Sequence, residues 1–281
     1  MIQNIAPHVL DNRFYTKASI REDACILFMQ ESKFLFRTEN DVLRLPAFRE
    51  CGMPAEDLRY LISVDDCDYY LSLKDAPDGL DVYHYGSLPD IRYASPAWMR
   101  YGVMTAHHLA CWYLNNRYCG HCGGRMEPVG YERALECAAC KNRVYPRINP
   151  CVIVGIIKGD RMLLTRSKMR PKRVNHSLVA GFAEIGETIE ETVHREVMEE
   201  TRLKVRNLHY YKSQPWALSA SLLFGFYCEL DGEDTLKLDD LELAEAVWAS
   251  QDEITERDEG VSLTSEMIEQ FRLHGRKVLD M

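Results

Sequence analysis

Gly181 to Leu203 reads GFAEIGETIEETVHREVMEETRL, and this stretch restricts the chain more closely than any other. It sets Gly181, Glu187, Arg195, Glu196, Glu199 and Glu200 in the spacing G-x5-E-x7-R-E-[aliphatic]-x-E-E. Residues three and four apart share one face of a helix, with Cβ atoms about 5–6 Å apart. Glu196, Glu199 and Glu200 have that spacing, and like charges so close destabilise a helix. A solvated acidic face accounts for an isolated E-x-x-E-E. The six-position pattern points instead to a hard divalent cation, because Mg²⁺ and Mn²⁺ prefer oxygen ligands.

At 281 residues the chain has room for two domains. It contains no apolar run long enough to span a membrane. Its first residues, MIQNIAPHVLDNRFYTKASI, lack the charged start and continuous apolar core of a signal peptide. A net charge of −9 opposes broad nucleic-acid binding, which depends on neutralising phosphates, but leaves room for a local basic site. Of ten cysteines, four form two CxxC pairs and six (Cys25, Cys51, Cys67, Cys111, Cys151 and Cys228) are scattered. That usage fits a reducing cytoplasm with metal-bound and buried thiols.

Residues 1 to about 95 mix short strand-like runs, such as Cys25-Ile26-Leu27-Phe28 and Phe34-Leu35-Phe36, with polar turns. Asp65 to Leu73 reads as a turn followed by a strand, and Gly86-Ser87-Leu88-Pro89-Asp90 as a break. Ser95-Pro96-Ala97-Trp98 opens a helix running to about Leu114, with Ser95 as cap and Pro96 at the first helical position. This region carries no catalytic motif, and a scaffold or dimerisation role is expected of it.

Cys119, Cys122, Cys137 and Cys140 follow in the spacing C-x2-C-x14-C-x2-C, one residue short of the usual zinc-ribbon range. Two thiolates on each of two knuckles complete a tetrahedral Zn²⁺ shell, and a closed four-sulfur shell is structural. His121 is expected to be exposed and not a ligand. Cys151 to Ile157 is a buried strand by its β-branched richness. Arg161 to Arg166 is its hairpin partner across Lys158-Gly159-Asp160. Arg166, Lys168, Arg170, Lys172 and Arg173 form a basic loop, read as solvated surface or as an attractor for a polyphosphate or an RNA tail.

The 181–203 pattern resembles the Nudix box, the signature of hydrolases that cleave a diphosphate linked to another moiety. The resemblance implies that Glu196, Glu199 and Glu200 are metal ligands for Mg²⁺ or Mn²⁺, and that Arg195 orients them through charge-assisted hydrogen bonds. It gives Gly181 to a tight loop before the helix. The family usually has Gly where this chain has Arg202, so a different helix exit is expected, costing about 1 kcal/mol.

Ser213-Gln214-Pro215-Trp216, with Ser221-Leu222 following, resembles the SQPWPFPxS signature of NADH pyrophosphatases; YPRINPCVIVGI and the CxxC pairs are also similar to that subfamily. The likeness is strongest over residues 117–250. After Trp216 this chain has Ala217-Leu218-Ser219-Ala220 where the subfamily has Pro-Phe-Pro and a variable residue, so two stiffening prolines are missing. The resemblance implies a homodimer, with Tyr145 and Phe182 near the bound nucleotide. It leaves open whether Tyr145 comes from the partner subunit. It places Gln214, Trp216, Ser221, Glu242 and Glu245 around the site, with Glu242 a further metal ligand.

The expected fold is α/β: an α+β domain over 1–116, a zinc ribbon over 117–146 and a Nudix α/β/α sandwich over 147–281. The expected reaction is metal-dependent hydrolysis of the NAD(H) pyrophosphate to nicotinamide mononucleotide and AMP, extending to NAD caps on RNA. The alternatives are an ADP-ribose or other nucleoside diphosphate pyrophosphatase, and a non-catalytic nucleotide sensor. The intact R-E-V-M-E-E argues against the sensor.

Overall fold

The computed structural model describes the chain except residues 16, 18, 169–175, 239–242, 256, 258 and 259. It divides into two units, Gln3–Arg147 and a second formed by Ile148–Met281 with Met1–Ile2.

In Gln3–Arg147 the short apolar runs become strands β1 (Leu10–Asp11), β2 (Cys25–Leu27), β3 (Met29–Gln30) and β4 (Lys33–Glu39). Strands β5 (Val42–Arg44), β6 (Leu58–Val64), β7 (Cys67–Ser72) and β8 (His84–Gly86) follow. One sheet has the order β1-β6-β7-β2, with β2 parallel to β7; in the other, β3, β5 and β8 all pair with β4. Ile26, Phe28, Leu35 and Tyr70 meet in one buried cluster with Cys51, the last residue of α1 (Phe48–Cys51).

Helix α2 (Ala97–Asn115) starts one residue later than expected, with Pro96 and not Ser95 at its cap. Ser95 N donates to Asp41 O at 2.8 Å, and Ser95 O accepts from Leu43 N at 2.7 Å. That bridge to β5 commits the Ser95 backbone and removes it from capping. The CxxC pairs lie around a small antiparallel sheet of β9 (Met126–Pro128), β10 (Leu135–Cys137) and β11 (Arg143–Val144).

The second unit is organised by β12 (Asn149–Lys158), whose residues 151–157 are all buried. A strand covered on both faces reads as one continuous apolar run. Its even residues Val152, Val154 and Ile156 pack with Val193 and Val197 of α3 (Ile189–Thr201). Its odd residues Cys151, Ile153 and Ile157 pack with Leu263, Met267 and Phe271 of α4 (Leu263–His274). Each such side chain contributes about 1.5–3 kcal/mol on burial, so helix, sheet and helix close into the expected sandwich.

Two strands share one edge of β12. Its end pairs with β13 (Arg161–Ser167) across the expected turn, where Gly159 has φ +61°, and its start pairs with β14 (Val179–Phe182). The other edge pairs in parallel with β16 (Ser221–Leu230), which carries β15 (Val205–Trp216); β17 (Leu243–Ser250) pairs with β13. Strand β14 therefore delivers the chain to α3 directly beside the sheet centre.

Helix α3 opens with a reciprocal cap: Thr188 Oγ1 accepts from Glu191 N at 3.1 Å, and Glu191 Oε2 accepts from Thr188 N at 2.8 Å. Its exit corrects the expectation drawn from Arg202. Arg202 adopts the left-handed conformation itself, at φ 61° and ψ 16°, and donates its N–H to Met198 O at 3.1 Å. The exit is the one a glycine would make, with an arginine held in it.

Candidate active site and candidate zinc centre

Arg195, on the second turn of α3, uses all five of its N–H donors. Nε donates to Glu187 Oε1 at 2.6 Å; Nη2 donates to Glu187 Oε2 at 3.0 Å and to Phe182 O at 2.8 Å. Nη1 donates to Glu196 Oε1 at 2.8 Å and to Glu199 Oε2 at 2.9 Å. A guanidinium so committed positions carboxylates and has no donor left for another molecule. Glu187 also accepts from Glu184 N and Thr192 Oγ1, both at 3.0 Å. The Arg195 guanidinium first, and the Glu184 N–H second, pull its carboxyl down to about 2. The loop between β14 and α3 is tied to the helix by these bonds and turns at Gly186, with φ +100°.

Glu196 and Glu200 are buried, at 8% and 5% exposure, whereas Glu199 is exposed. Burying a carboxylate is costly unless it is paired. Arg195 answers for Glu196, and Ala180 N donates to Glu200 Oε1 at 3.3 Å. Gly181 has a different task from the loop expected of it. It lies within β14, opposite Val152, and a Cβ there would stand 1.9 Å from Glu196 Cδ and 2.0 and 2.2 Å from its oxygens. The missing side chain is the space in which the Glu196 carboxylate sits. Glu187, Glu196 and Glu199 thus gather around a single guanidinium while Ala180 N holds Glu200, and the surplus negative charge with a cradled carboxylate suits a divalent cation.

The remaining expected residues divide. Phe182 is half exposed at the end of β14, and its carbonyl is the one Arg195 holds. Glu245, opposite Arg166 on β13, faces its guanidinium at 3.4 Å, and Arg166 Nη2 also reaches His176 Nε2 at 3.2 Å. The partnership of Glu245 with Arg166 depends on strand register, which the amino-acid order does not display.

Gln214 departs from its expected place around a nucleotide. Its side chain is fully buried, donating to Val261 O at 2.9 Å and accepting from Leu263 N at 2.7 Å. It fastens β15 to the start of α4. Ser221 is likewise buried, with its hydroxyl on Ser219 O at 3.0 Å. Trp216 packs against the core on the α4 side. Glu242, and Arg170, Lys172 and Arg173 of the basic loop, lie outside the described residues. Tyr145, in the other unit, is exposed, and its hydroxyl donates to Glu132 Oε1 at 3.4 Å.

Among the described residues, one group of metal-ligating atoms lies within 4.8 Å of one another: the sulfurs of Cys119, Cys122, Cys137 and Cys140. Cys119 Sγ and Cys140 Sγ are 3.7 Å apart, and Cys122 Sγ and Cys137 Sγ 3.5 Å. Zn–S bonds of about 2.3 Å place the sulfurs of a tetrahedron about 3.8 Å apart, so the set fits zinc. The N–H groups of Cys122 and His121 lower the Cys119 thiol to about 6, toward the thiolate a metal requires. Gly123 makes the first knuckle with φ +73°, and His121 is exposed as expected.

Two segments of the chain match known protein families. Residues 148–271 match the NUDIX domain family, and residues 114–145 match the NADH pyrophosphatase zinc ribbon domain. The chain thus contains a Nudix domain preceded by a zinc ribbon domain of the NADH pyrophosphatase type. It is similar to the NAD-capped RNA hydrolase NudC of Enterobacter sp. (strain 638) and that of Shigella flexneri. Each is 44% identical over 146 residues, covering 52% of this chain and 56% of the relative. The chain thus spans just over half the length of these curated relatives. A solved NUDIX hydrolase from Nitrosomonas europaea aligns with 56% of this chain and 90% of its own, at 20% identity and a TM-score of 0.48.

Proposed function

We propose that this protein hydrolyses the pyrophosphate of NAD(H) to nicotinamide mononucleotide and AMP, and removes NAD caps from RNA. The observation that carries the reading is the Arg195 knot, which holds Glu196 and Glu199 on one helix face while Glu196 fills the space left by Gly181. Support comes from the NADH pyrophosphatase ribbon and from relatives named NAD-capped RNA hydrolases.

In this reading Glu196, Glu199 and Glu200, joined by Glu242, hold Mg²⁺ or Mn²⁺. When bound, the metal neutralises phosphate oxygens and lowers the pKa of a water. Arg195 contributes position: its five bonds fix the carboxylates before substrate arrives, which removes reorganisation from the reaction. Glu200 takes the proton of the attacking water, with Glu242 the other candidate for that role. Phe182 offers an exposed aromatic face to the flat, cationic nicotinamide. Glu245, ion-paired with Arg166, and Trp216 are further residues assigned to the substrate site in this reading. Gln214 and Ser221 act one step back, holding β15 and its following turn.

The ribbon of residues 117–146 is a zinc-stapled module between an N-terminal domain over 1–116 and the Nudix domain over 147–281. The protein acts as a homodimer in this reading. Four cysteines in paired CxxC knuckles and six scattered thiols support a cytoplasmic location. Among the described residues no helix is long and apolar enough to cross a membrane.

NADH and ADP-ribose share the ADP half and differ in the nicotinamide, so their kcat/KM ratio isolates its recognition. A preference for NADH of about tenfold or more is expected. Equal or faster turnover of ADP-ribose would remove the nicotinamide-specific reading and leave the Nudix reaction in place.

A further inference from the structure

We infer that Cys25 and Cys67 form a peroxide-oxidisable dithiol that closes to a disulfide within the N-terminal sheet. Their sulfurs are 3.5 Å apart, van der Waals contact for two thiols and one small movement from a bond. They are not part of the zinc set, and no catalytic or metal-binding role proposed above uses them.

The topology explains the meeting. Strand β2 lies parallel to β7 with Cys25 opposite Tyr69, and Cys67 is two residues before Tyr69, so both thiols fall on the same side of adjoining strands. The strands are already paired, so cross-linking them leaves the sheet order unchanged. Exposure differs between the two: Cys25 is buried, and Cys67 is partly open to solvent. Either thiol can donate to the other; donation by the buried Cys25 favours the Cys67 thiolate and lowers its pKa. The accessible sulfur is thus the nucleophile and the buried one its resolving partner.

The chemistry balances with a hydroperoxide as oxidant. The Cys67 thiolate attacks one peroxide oxygen and the O–O bond breaks, giving a sulfenic acid and, after protonation, one water. The Cys25 sulfur then attacks the Cys67 sulfur; the S–OH bond breaks, hydroxide leaves and takes up the thiol proton as a second water. Two thiols lose two electrons and two protons, and one hydrogen peroxide is reduced to two waters.

The other scattered cysteines have no such partner. Cys51 Sγ donates to Ala47 O at 3.2 Å, Cys151 and Cys228 are buried against backbone carbonyls, and Cys111 lies beside His107. Selectivity for Cys25 and Cys67 follows from this arrangement alone.

The test treats the zinc-loaded full chain with hydrogen peroxide, alkylates the remaining thiols after denaturation and maps peptides by mass spectrometry. Cys25 and Cys67 should become joined, with the loss of two hydrogens reversed by dithiothreitol, at least about tenfold faster than Cys111 is oxidised. Cys25→Ser should leave Cys67 as a sulfenic acid that dimedone traps, whereas Cys67→Ser should leave Cys25 reduced. The near-isosteric serines keep the fold, which circular dichroism checks. The inference fails if both thiols stay alkylatable while Cys111 is oxidised, if either pairs with another cysteine, or if dimedone labels Cys67 equally in the wild type and Cys25→Ser.

Discussion

Replacing Gly181 by alanine separates the geometry of the glutamates from the stability of the fold. The new Cβ would stand 1.9–2.2 Å from three atoms of the Glu196 carboxyl group. Restoring ordinary contact moves that group by about 1 Å or more. A displacement of about 1 Å in a reacting constellation costs about a hundredfold in rate. Stability responds less, because the crowded atoms end a flexible side chain. Alanine reduces the entropy of the unfolded chain by about 0.4–1 kcal/mol, and a strained Glu196 rotamer costs about 0.5–1.5 kcal/mol. The two nearly cancel. The assay is NADH hydrolysis at saturating Mg²⁺ or Mn²⁺ together with a thermal melt. We expect kcat to fall by about a hundredfold while Tm moves by no more than about 4 °C. Turnover within about threefold of wild type would refute the role assigned to the space at Gly181. Collapse of the fold would show that the glycine serves the sheet.

Arg202→Gly should stabilise the protein by about 1 kcal/mol, because the left-handed exit of α3 then carries no Cβ; a chemical denaturation curve unchanged or shifted to lower denaturant would contradict this. Glu187 has its carboxyl lowered from 4.5 to about 2, so its contribution to stability is complete above about 4.5 and is lost as pH falls toward 2. The Tm difference between wild type and Glu187→Gln should therefore narrow through that window, and a difference independent of pH would argue against the Arg195 pairing. Elemental analysis should find one zinc per chain, and Cys137→Ser should impair folding and not only slow chemistry; protein free of zinc yet fully folded would remove the structural centre.

The residues that were legible in the amino-acid order are those whose roles are local. The strand at Cys151–Ile157 announces itself because both faces are buried, and the three glutamates share a face because helical spacing alone puts them there. The four cysteines meet because each knuckle is a tight turn. Roles fixed by distant partners were not legible. Ser95 fails to cap α2 because Asp41 and Leu43 hold its backbone. Gln214 points into the core because the start of α4, nearly fifty residues on, needs a partner for Leu263 N. Gly181 reads locally as a turn former, but its reason is the carboxylate of Glu196 from the next helix. Arg202 shows the converse: a residue that disfavours a conformation is held in it by the packing of its neighbours.

The central claim is that the carboxylates on α3 cleave a dinucleotide pyrophosphate with a divalent metal, and Glu200→Gln tests it most directly. The side chain keeps its shape and loses its charge and its basicity. Wild-type protein with Mg²⁺ or Mn²⁺ should convert NADH to reduced nicotinamide mononucleotide and AMP. The variant should remain folded by circular dichroism and form these products at least about a hundredfold more slowly. Product formation at near wild-type rate by the folded variant would contradict the account.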